Sequence, residues 1–304
     1  MARLDLHIGA HKTATSFLQD VFRANQDALK AGGTHVPHHR QTRKFLTVPC
    51  QLKAYERLGQ DWNTKFTDAE LHDIVRSYFS AMNEDGVERI LLTDENFLGH
   101  CGHVVRSGIL YNRKEAFLNV LKEFLPQEPA RIYLSVRDYS KFFSAVYGQY
   151  LLDVKPENFT HPRDFAGQVM EKYPNWANLI RKVREVFPDT EIIVWAYENA
   201  RKDWGRIVDT LLDGKVPQDV SYETEKVVRK SISGDAFDAF MVILDREGVE
   251  PALEQLRAIR QMQGEGSGKR LMIFSKEQRD KLAYRYEKHL GQIDTEIPGV
   301  TRVC

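Results

Sequence analysis

The chain has 304 residues, 42% of them hydrophobic, which is enough to bury a large core. Its 43 basic side chains balance 43 acidic ones, which argues against general attraction to nucleic acid or to an anionic membrane. The three cysteines, Cys50, Cys101 and Cys304, are scattered and lack metal-type spacing, a usage that fits a reducing compartment. The opening residues, MARLDLHIG, pass into a strand pattern without a continuous apolar core, so no secretory signal is expected. No apolar run approaches the roughly 18 residues of a membrane span. A cytoplasmic protein is the expectation.

Leu4, Leu6 and Ile8 alternate as a short strand. A tight turn, Gly9–Thr13, follows, and then a helix carrying Phe17, Leu18, Val21 and Phe22. Strand, glycine-containing turn and helix start together make an anion site. The first amides of a helix have no intrahelical acceptor, and the helix dipole adds partial positive charge. Lys12 adds a full charge, and Thr13, Thr15 and Ser16 add hydroxyl donors. The guest that suits such a turn is a phosphate-like group. The Walker A spelling needs glycine just before the lysine, whereas His11 precedes Lys12 here.

Ala31-Gly32-Gly33 ends this helical stretch, and Thr34–Pro37 reads as a second short strand. Pro37–Arg40 opens a polar loop expected at the mouth of a substrate cleft. His38 and His39 are adjacent there, and neighbours on an extended chain face opposite ways, which makes a poor chelating pair. Phe45–Gly59 reads as a weak helix. Thr67–Glu84 is a better one, with Leu71, Ile74, Val75, Tyr78 and Phe79 on one face.

Val87–Thr93 reads as a buried strand running into Asp94-Glu95-Asn96-Phe97. An apolar run ending in Asp-Glu has the look of a Walker B segment, whose acid holds magnesium. A carboxylate at the carboxyl end of a parallel strand also faces the crevice of the phosphate loop. There it can take a proton from an acceptor hydroxyl, and Glu95 is the candidate base, its pKa raised by burial. Asp94 is its rival, and a plain helix-capping acid is the alternative. Leu98–Lys114 is expected to be irregular. Its glycines, His100, Cys101, His103 and Tyr111 suit acceptor recognition, and His100, Cys101 and His103 lack the second ligand pair that a zinc site needs. Lys114–Leu125 closes this part as a helix.

Arg131–Val136 is a further buried strand. It ends in Arg137-Asp138 and leads into the helix Tyr139–Leu152. A guanidinium suits a phosphate because its fork donates two parallel hydrogen bonds; a salt bridge to a neighbouring acid is the alternative for Arg137. Asp164–Glu171 and Trp176–Phe187 read as helices. Glu191–Ala196 is the last clear strand, and Glu198 just beyond it braces loops or caps the helix Arg201–Leu212. The tail is charged and helical. Ser233 suits the cap of a helix Asp235–Arg246, Gln263–Lys269 has the composition of a flexible lid, and Ser275–Leu290 is a final helix. Strands alternate with helices to about Leu212, which predicts an α/β fold with a parallel sheet flanked by helices on both faces. Residues 1–214 would be the α/β core and 215–304 a mainly helical C-terminal region of one domain.

The spelling H-I-G-x-x-K-T-x-T-S-x-L-Q, from His7 to Gln19, resembles the 5′-phosphosulfate loop of the sulfotransferases. It is most similar to that of bacterial sulfotransferase-like proteins, which usually write H-I-G-x-x-K-T-G-T-T. The resemblance implies a P-loop-like sulfotransferase fold and the cofactor 3′-phosphoadenosine-5′-phosphosulfate (PAPS), with the bisphosphate PAP as product. It implies that Gly9, His11, Lys12, Thr13, Ala14, Thr15 and Ser16 cradle the 5′ end of the cofactor. Lys12 and Glu95 become the catalytic pair, as charge neutraliser and base. Arg137 would hold the 3′-phosphate, helped by a serine in the following helix. Matching Tyr147 and Gln149 to the family puts Ala145 at that serine position, with Ser144 one residue early. Arg229 and Lys230, with Ser231, would clamp the 3′-phosphate from the tail. Ala14 replaces a usual glycine, and its methyl group is tolerated only if the turn keeps φ negative.

The resemblance requires no metal. The acceptor it implies is a hydroxyl or amine on a small molecule. The polar, histidine- and tyrosine-rich loops favour a carbohydrate over a flat phenol. A P-loop-like kinase or nucleotidase using magnesium-ATP is the alternative, and a non-catalytic nucleotide-binding protein is a third reading. No nucleic-acid partner is expected, and no feature specifies an oligomeric state.

Overall fold

The computed structural model describes residues 2–60, 62–217, 220–222, 232–262 and 268–303. Among these residues six strands, β1 (Arg3–His7), β2 (Thr34–His35), β3 (Arg89–Thr93), β4 (Arg131–Val136), β5 (Glu191–Ala196) and β6 (Val300–Arg302), form one sheet in the order β2-β3-β1-β4-β5-β6. Every pairing is parallel. β1 lies between β3 and β4, so the segments leaving all three meet at one carboxyl edge. After β1 the chain turns to β2 and β3 on one side, then crosses to β4 on the other. Ligand crevices in parallel sheets open where the strand order reverses in this way.

Both faces of the sheet are buried, and the alternation of each strand divides its side chains between two cores. Leu4, Leu6, Ile90, Leu92, Ile132, Leu134, Ile192 and Val194 pack on one face, beneath the helices Lys114–Phe124, Tyr139–Asp153 and Trp176–Val186. Leu91, Tyr133, Ile193 and Trp195 pack on the other, against Leu18, Val21 and Phe22 of the helix Thr15–Ala24 and Ile207, Val208 and Leu211 of the helix Trp204–Leu212. The second face also takes the two buried polar residues of β1. Asp5 is fully buried there and pairs with Arg89, an arrangement stable only because each charge has its partner. His7 is the other.

The structure departs from expectation in several places. Val300–Arg302 returns to the sheet and pairs with Ile192–Val194, so one more short strand follows Glu191–Ala196 in the mainly helical C-terminal region. Within the stretch expected to be irregular, Cys101–Ser107 is helical. His39–Thr42 is helical rather than loop and leads through a wide turn, Arg43–Thr47, into the helix Val48–Arg57. Ser233 caps the helix Gly234–Glu247, its side chain accepting from the Ala236 amide at 3.1 Å. Ser275 caps the final helix, Lys276–Glu296, through a capping box with Gln278. Arg229, Lys230 and Ser231 lie outside the described residues, as does most of the expected lid at 263–269. Among the described residues no helix is long and apolar enough to cross a membrane.

Candidate active site

The turn after β1 holds two non-glycine residues, Lys12 (φ 62°) and Ala14, in left-handed backbone. Gly9 has φ +22°, and a Cβ on it would lie 2.7 Å from Thr15 Oγ1, so only glycine fits. Thr13 Oγ1 donates to the Ala10 carbonyl at 2.6 Å; its hydroxyl closes the turn. Ala14 departs from the expectation. It has φ 66° and ψ 24°, a left-handed conformation, where φ was expected to stay negative. Alanine pays a steric penalty there that glycine does not. Ala14 is also the residue before the helix Thr15–Ala24, and no side chain caps that helix start. The first amides of the helix therefore open toward the carboxyl edge of the sheet.

His11 is fixed from two sides. Its amide donates to Tyr111 Oη at 2.8 Å, its Nδ1 lies 3.0 Å from the same oxygen, and its Nε2 lies 3.1 Å from Asn96 Oδ1. The hydroxyl accepts from the amide and donates to Nδ1, which leaves the Nε2 proton for Asn96. Burial lowers the pKa of the ring and holds it neutral. His11 thereby ties the β1 turn to the β3 end and to Tyr111. Lys12 Nζ reaches Gln149 Oε1 at 3.5 Å. Gln149 stands in the helix after β4, so the lysine spans the crevice.

Arg137 leaves β4 and is 8% exposed. Its Nη1 donates to the main-chain carbonyl of Lys12, and its guanidinium carbon lies 4.7 Å from the centre of the Tyr197 ring. Burial lowers its pKa from the usual arginine value. Its Nε is buried without a hydrogen-bond partner among the described residues, and Thr15 Oγ1 in the loop is in the same state. Its peptide is braced from behind. Trp176 Nε1 donates to the Arg137 carbonyl at 2.8 Å, and the next amide, of Asp138, donates to Glu198 at 3.2 Å. Glu198 also accepts from Tyr286 at 3.1 Å, so it braces loops. Ser144 faces another segment: its hydroxyl lies 3.4 Å from Met272 Sδ and accepts from the Ile273 amide at 3.3 Å.

At the end of β3 the two acids have different surroundings. Asp94 is fully buried. One of its oxygens accepts from Arg43 Nε at 2.9 Å and the other from Thr47 Oγ1 at 2.9 Å. Burial pushes its carboxyl up to about 6, against the pull of Arg43. Glu95 is 8% exposed, and its Oε1 lies 3.0 Å from Arg43 Nη2. Arg43 therefore binds both acids. Asp94 acts as the anchor, since both of its oxygens are engaged, and Glu95 stands next to it in the short 3-10 turn Glu95–Leu98.

Arg43 was not singled out from the sequence. The signal available was its spacing from Thr47: residues four apart lie on one face of a helical turn, and both reach Asp94. Tyr111 was named only as part of a polar stretch, although it holds His11. His7 was read only as the first letter of a motif. The crevice thus brings together Gly9, His11, Lys12, Thr13, Ala14, Thr15, Ser16, Glu95 and Arg137, and it adds Arg43 and Tyr111. Ser144, in the helix Tyr139–Asp153, is turned to residues 272–273. Among the described residues no group of histidine, cysteine and acidic side chains could hold a metal ion.

No protein-family model matches the chain, and no curated protein matches it. Among solved structures the chain is similar to the crystal structure of a sulfotransferase from Alicyclobacillus acidocaldarius, with 14% sequence identity, 85% of this chain and 96% of that chain covered, and a TM-score of 0.40.

Proposed function

We propose that the chain is a sulfotransferase that uses PAPS to sulfate a hydroxyl or amine on a small molecule, with a carbohydrate as the favoured class. The reading rests on the motif from His7 to Gln19. The observation that carries it furthest is the meeting of the loop with Arg137 at one edge of the sheet. The residues present fit the group. Thr15 Oγ1 and Arg137 Nε are buried polar atoms without partners among the described residues, and buried polar groups normally have them. The helix start beside them has no side-chain cap.

When bound, PAPS supplies an activated sulfuryl group and departs as the bisphosphate. Lys12 and the first amides of the helix Thr15–Ala24 hold the 5′ anion. They also meet the negative charge that grows on the leaving oxygen, each donor contributing about 3 kcal/mol in comparable oxyanion sites. Arg137 reads the 3′-phosphate. Glu95 takes the acceptor proton, and its pairing with Arg43 keeps it aimed. Sulfuryl transfer resembles loose phosphoryl transfer, in which placement and charge stabilisation do most of the catalysis. The magnesium-ATP alternative relied on Asp94-Glu95 as a metal site. Both oxygens of Asp94 are engaged by Arg43 and Thr47, which does not favour it.

The test is thermal unfolding with PAP, set beside ADP and magnesium-ATP, on the wild type, Lys12→Ala and Arg137→Ala. A ligand that binds only the native state raises the midpoint. A rise with PAP that is lost in both variants supports the reading. A rise with magnesium-ATP alone contradicts it.

A further inference from the structure

His7 ends β1 on the face of the sheet that packs against the helix Thr15–Ala24, and it is 1% exposed. Its ring stacks on Trp195 with centroids 5.5 Å apart. Its Nδ1 lies 3.0 Å from Thr93 Oγ1, across the β1–β3 pair. Its Nε2 is buried with no partner among the described residues. That nitrogen points at the loop: a Cβ on Gly9 would lie 3.2 Å from His7 Nε2 and 2.7 Å from Thr15 Oγ1. Two unpartnered polar atoms, each from a side chain more than nine-tenths buried, therefore flank the same glycine.

The surroundings decide which nitrogen carries the proton. Gln19 Nε2 donates to the Thr93 carbonyl at 3.2 Å, which fixes the way its amide faces, and it also lies 3.5 Å from Thr93 Oγ1. Among the described residues Nδ1 is the one acceptor within hydrogen-bond reach of the Thr93 hydroxyl, so its single proton goes to His7 Nδ1. The proton of the neutral ring is then on Nε2, since the hydrogen bond at one ring nitrogen sets the state of the other. Burial lowers the imidazole pKa to about 4 and keeps the ring uncharged. The result is a neutral donor directed into the loop with nothing among the described residues to accept from it.

We propose that His7 Nε2–H donates to the anionic group held by the Lys12 loop, beside Thr15 Oγ1, and that Thr93 positions it by fixing the tautomer. The inference rests on the phosphosulfate reading of that loop and deepens it. It assigns a binding residue below the turn, in addition to the lysine and the helix amides above it. Because the ring stays neutral, its role is to orient the anion and strengthen its binding, and it transfers no proton.

The experiment is a calorimetric titration with PAP on the wild type, His7→Phe and Thr93→Val, joined to NMR of the wild type labelled with ¹⁵N in histidine. Phenylalanine keeps the stack on Trp195 and removes both nitrogens; valine keeps the shape of Thr93 and removes its hydroxyl. Loss of a buried hydrogen bond of this kind predicts PAP binding weakened about tenfold or more in His7→Phe, and less in Thr93→Val. The wild-type spectrum should show a proton on Nε2 and none on Nδ1, with the Nε2 resonance moving as PAP is added. Equal PAP affinity in the wild type and a folded His7→Phe overturns the inference, and so does a proton found on Nδ1. If His7→Phe does not fold, the wild-type NMR titration decides. If the wild type does not bind PAP, the phosphosulfate reading fails. The same NMR titration with inorganic phosphate then decides for His7: movement of Nε2 supports the inference, and a static resonance overturns it.

Discussion

The guanidinium of Arg137, at the end of β4, donates to the main-chain carbonyl of Lys12 in the turn after β1. Two residues 125 positions apart thus form one contact, and it joins the two ends of the proposed cofactor site. The fork of an arginine serves a carbonyl and a phosphate together, which a lysine ammonium at the same place does not. Arg137→Lys is therefore expected to weaken PAP binding by about tenfold or more, the worth of a charge-assisted hydrogen bond. Calorimetric titration of the two proteins checks it; equal affinities would mean that Arg137 only ties the loop.

Ala14 holds φ 66° at the helix start. Left-handed backbone costs an alanine about 1–2 kcal/mol, and glycine is also the better residue at this capping position. Glycine gives back about 0.4–1 kcal/mol by enlarging the unfolded ensemble. Ala14→Gly should therefore stabilise the fold by roughly 0.5–1 kcal/mol. Urea unfolding measures it, and a loss of stability would show that the turn relaxes to negative φ in solution.

Glu95 is assigned a task in the chemical step and none in nucleotide binding. Glu95→Gln keeps the shape and removes the base. It should lower kcat by about 10²–10⁴-fold and leave the PAP-induced rise in midpoint unchanged. A variant that also loses the PAP response would place Glu95 in the cofactor site.

Acid should act on this fold through histidines whose pKa is lowered by burial. Burial takes His7 and His100 down to about 4 and His103 to about 3, from an ordinary value of 6.5. Between pH 6.5 and 4 the unfolded chain binds protons that these folded rings refuse, so their contribution is present above 6.5 and is lost as pH falls. Asp94 opposes them. Its folded value, about 6, lies above the ordinary 3.8, so between those values the folded chain holds a proton the unfolded chain lacks, and stability gains as pH falls. Urea midpoints should drop from pH 6.5 to 4, and Asp94→Asn should steepen the drop. A variant with an unchanged slope would contradict the assignment for Asp94.

Much of this was legible in the sequence because the pattern and the physics coincide. Arg131–Val136 and Glu191–Ala196 are largely apolar strands without polar alternation, the mark of a sheet buried on both faces, and both appear with the expected bounds. The strand Val300–Arg302 was not legible. It has three residues, one of them apolar, and only its register against Ile192–Val194 makes it a strand. Arg43 was hidden because its partners are about fifty positions away, just beyond β3, and local spacing carries no record of a distant partner. The shape at Ala14 was misjudged because the turn is set by Gly9 and by the Thr13–Ala10 bond, which override the backbone preference of a single residue.

The central claim is that the Lys12 loop and Arg137 together read a nucleotide by both its 5′ and 3′ anions. The most direct measurement is the ratio of dissociation constants for adenosine 5′-phosphate and PAP, in the wild type and in Arg137→Ala. The account predicts that the wild type binds PAP more tightly by at least about tenfold, the worth of one charge-assisted contact, and that the ratio falls toward one in the variant. Equal affinity of the wild type for the two nucleotides, or a preference that survives in Arg137→Ala, would contradict it.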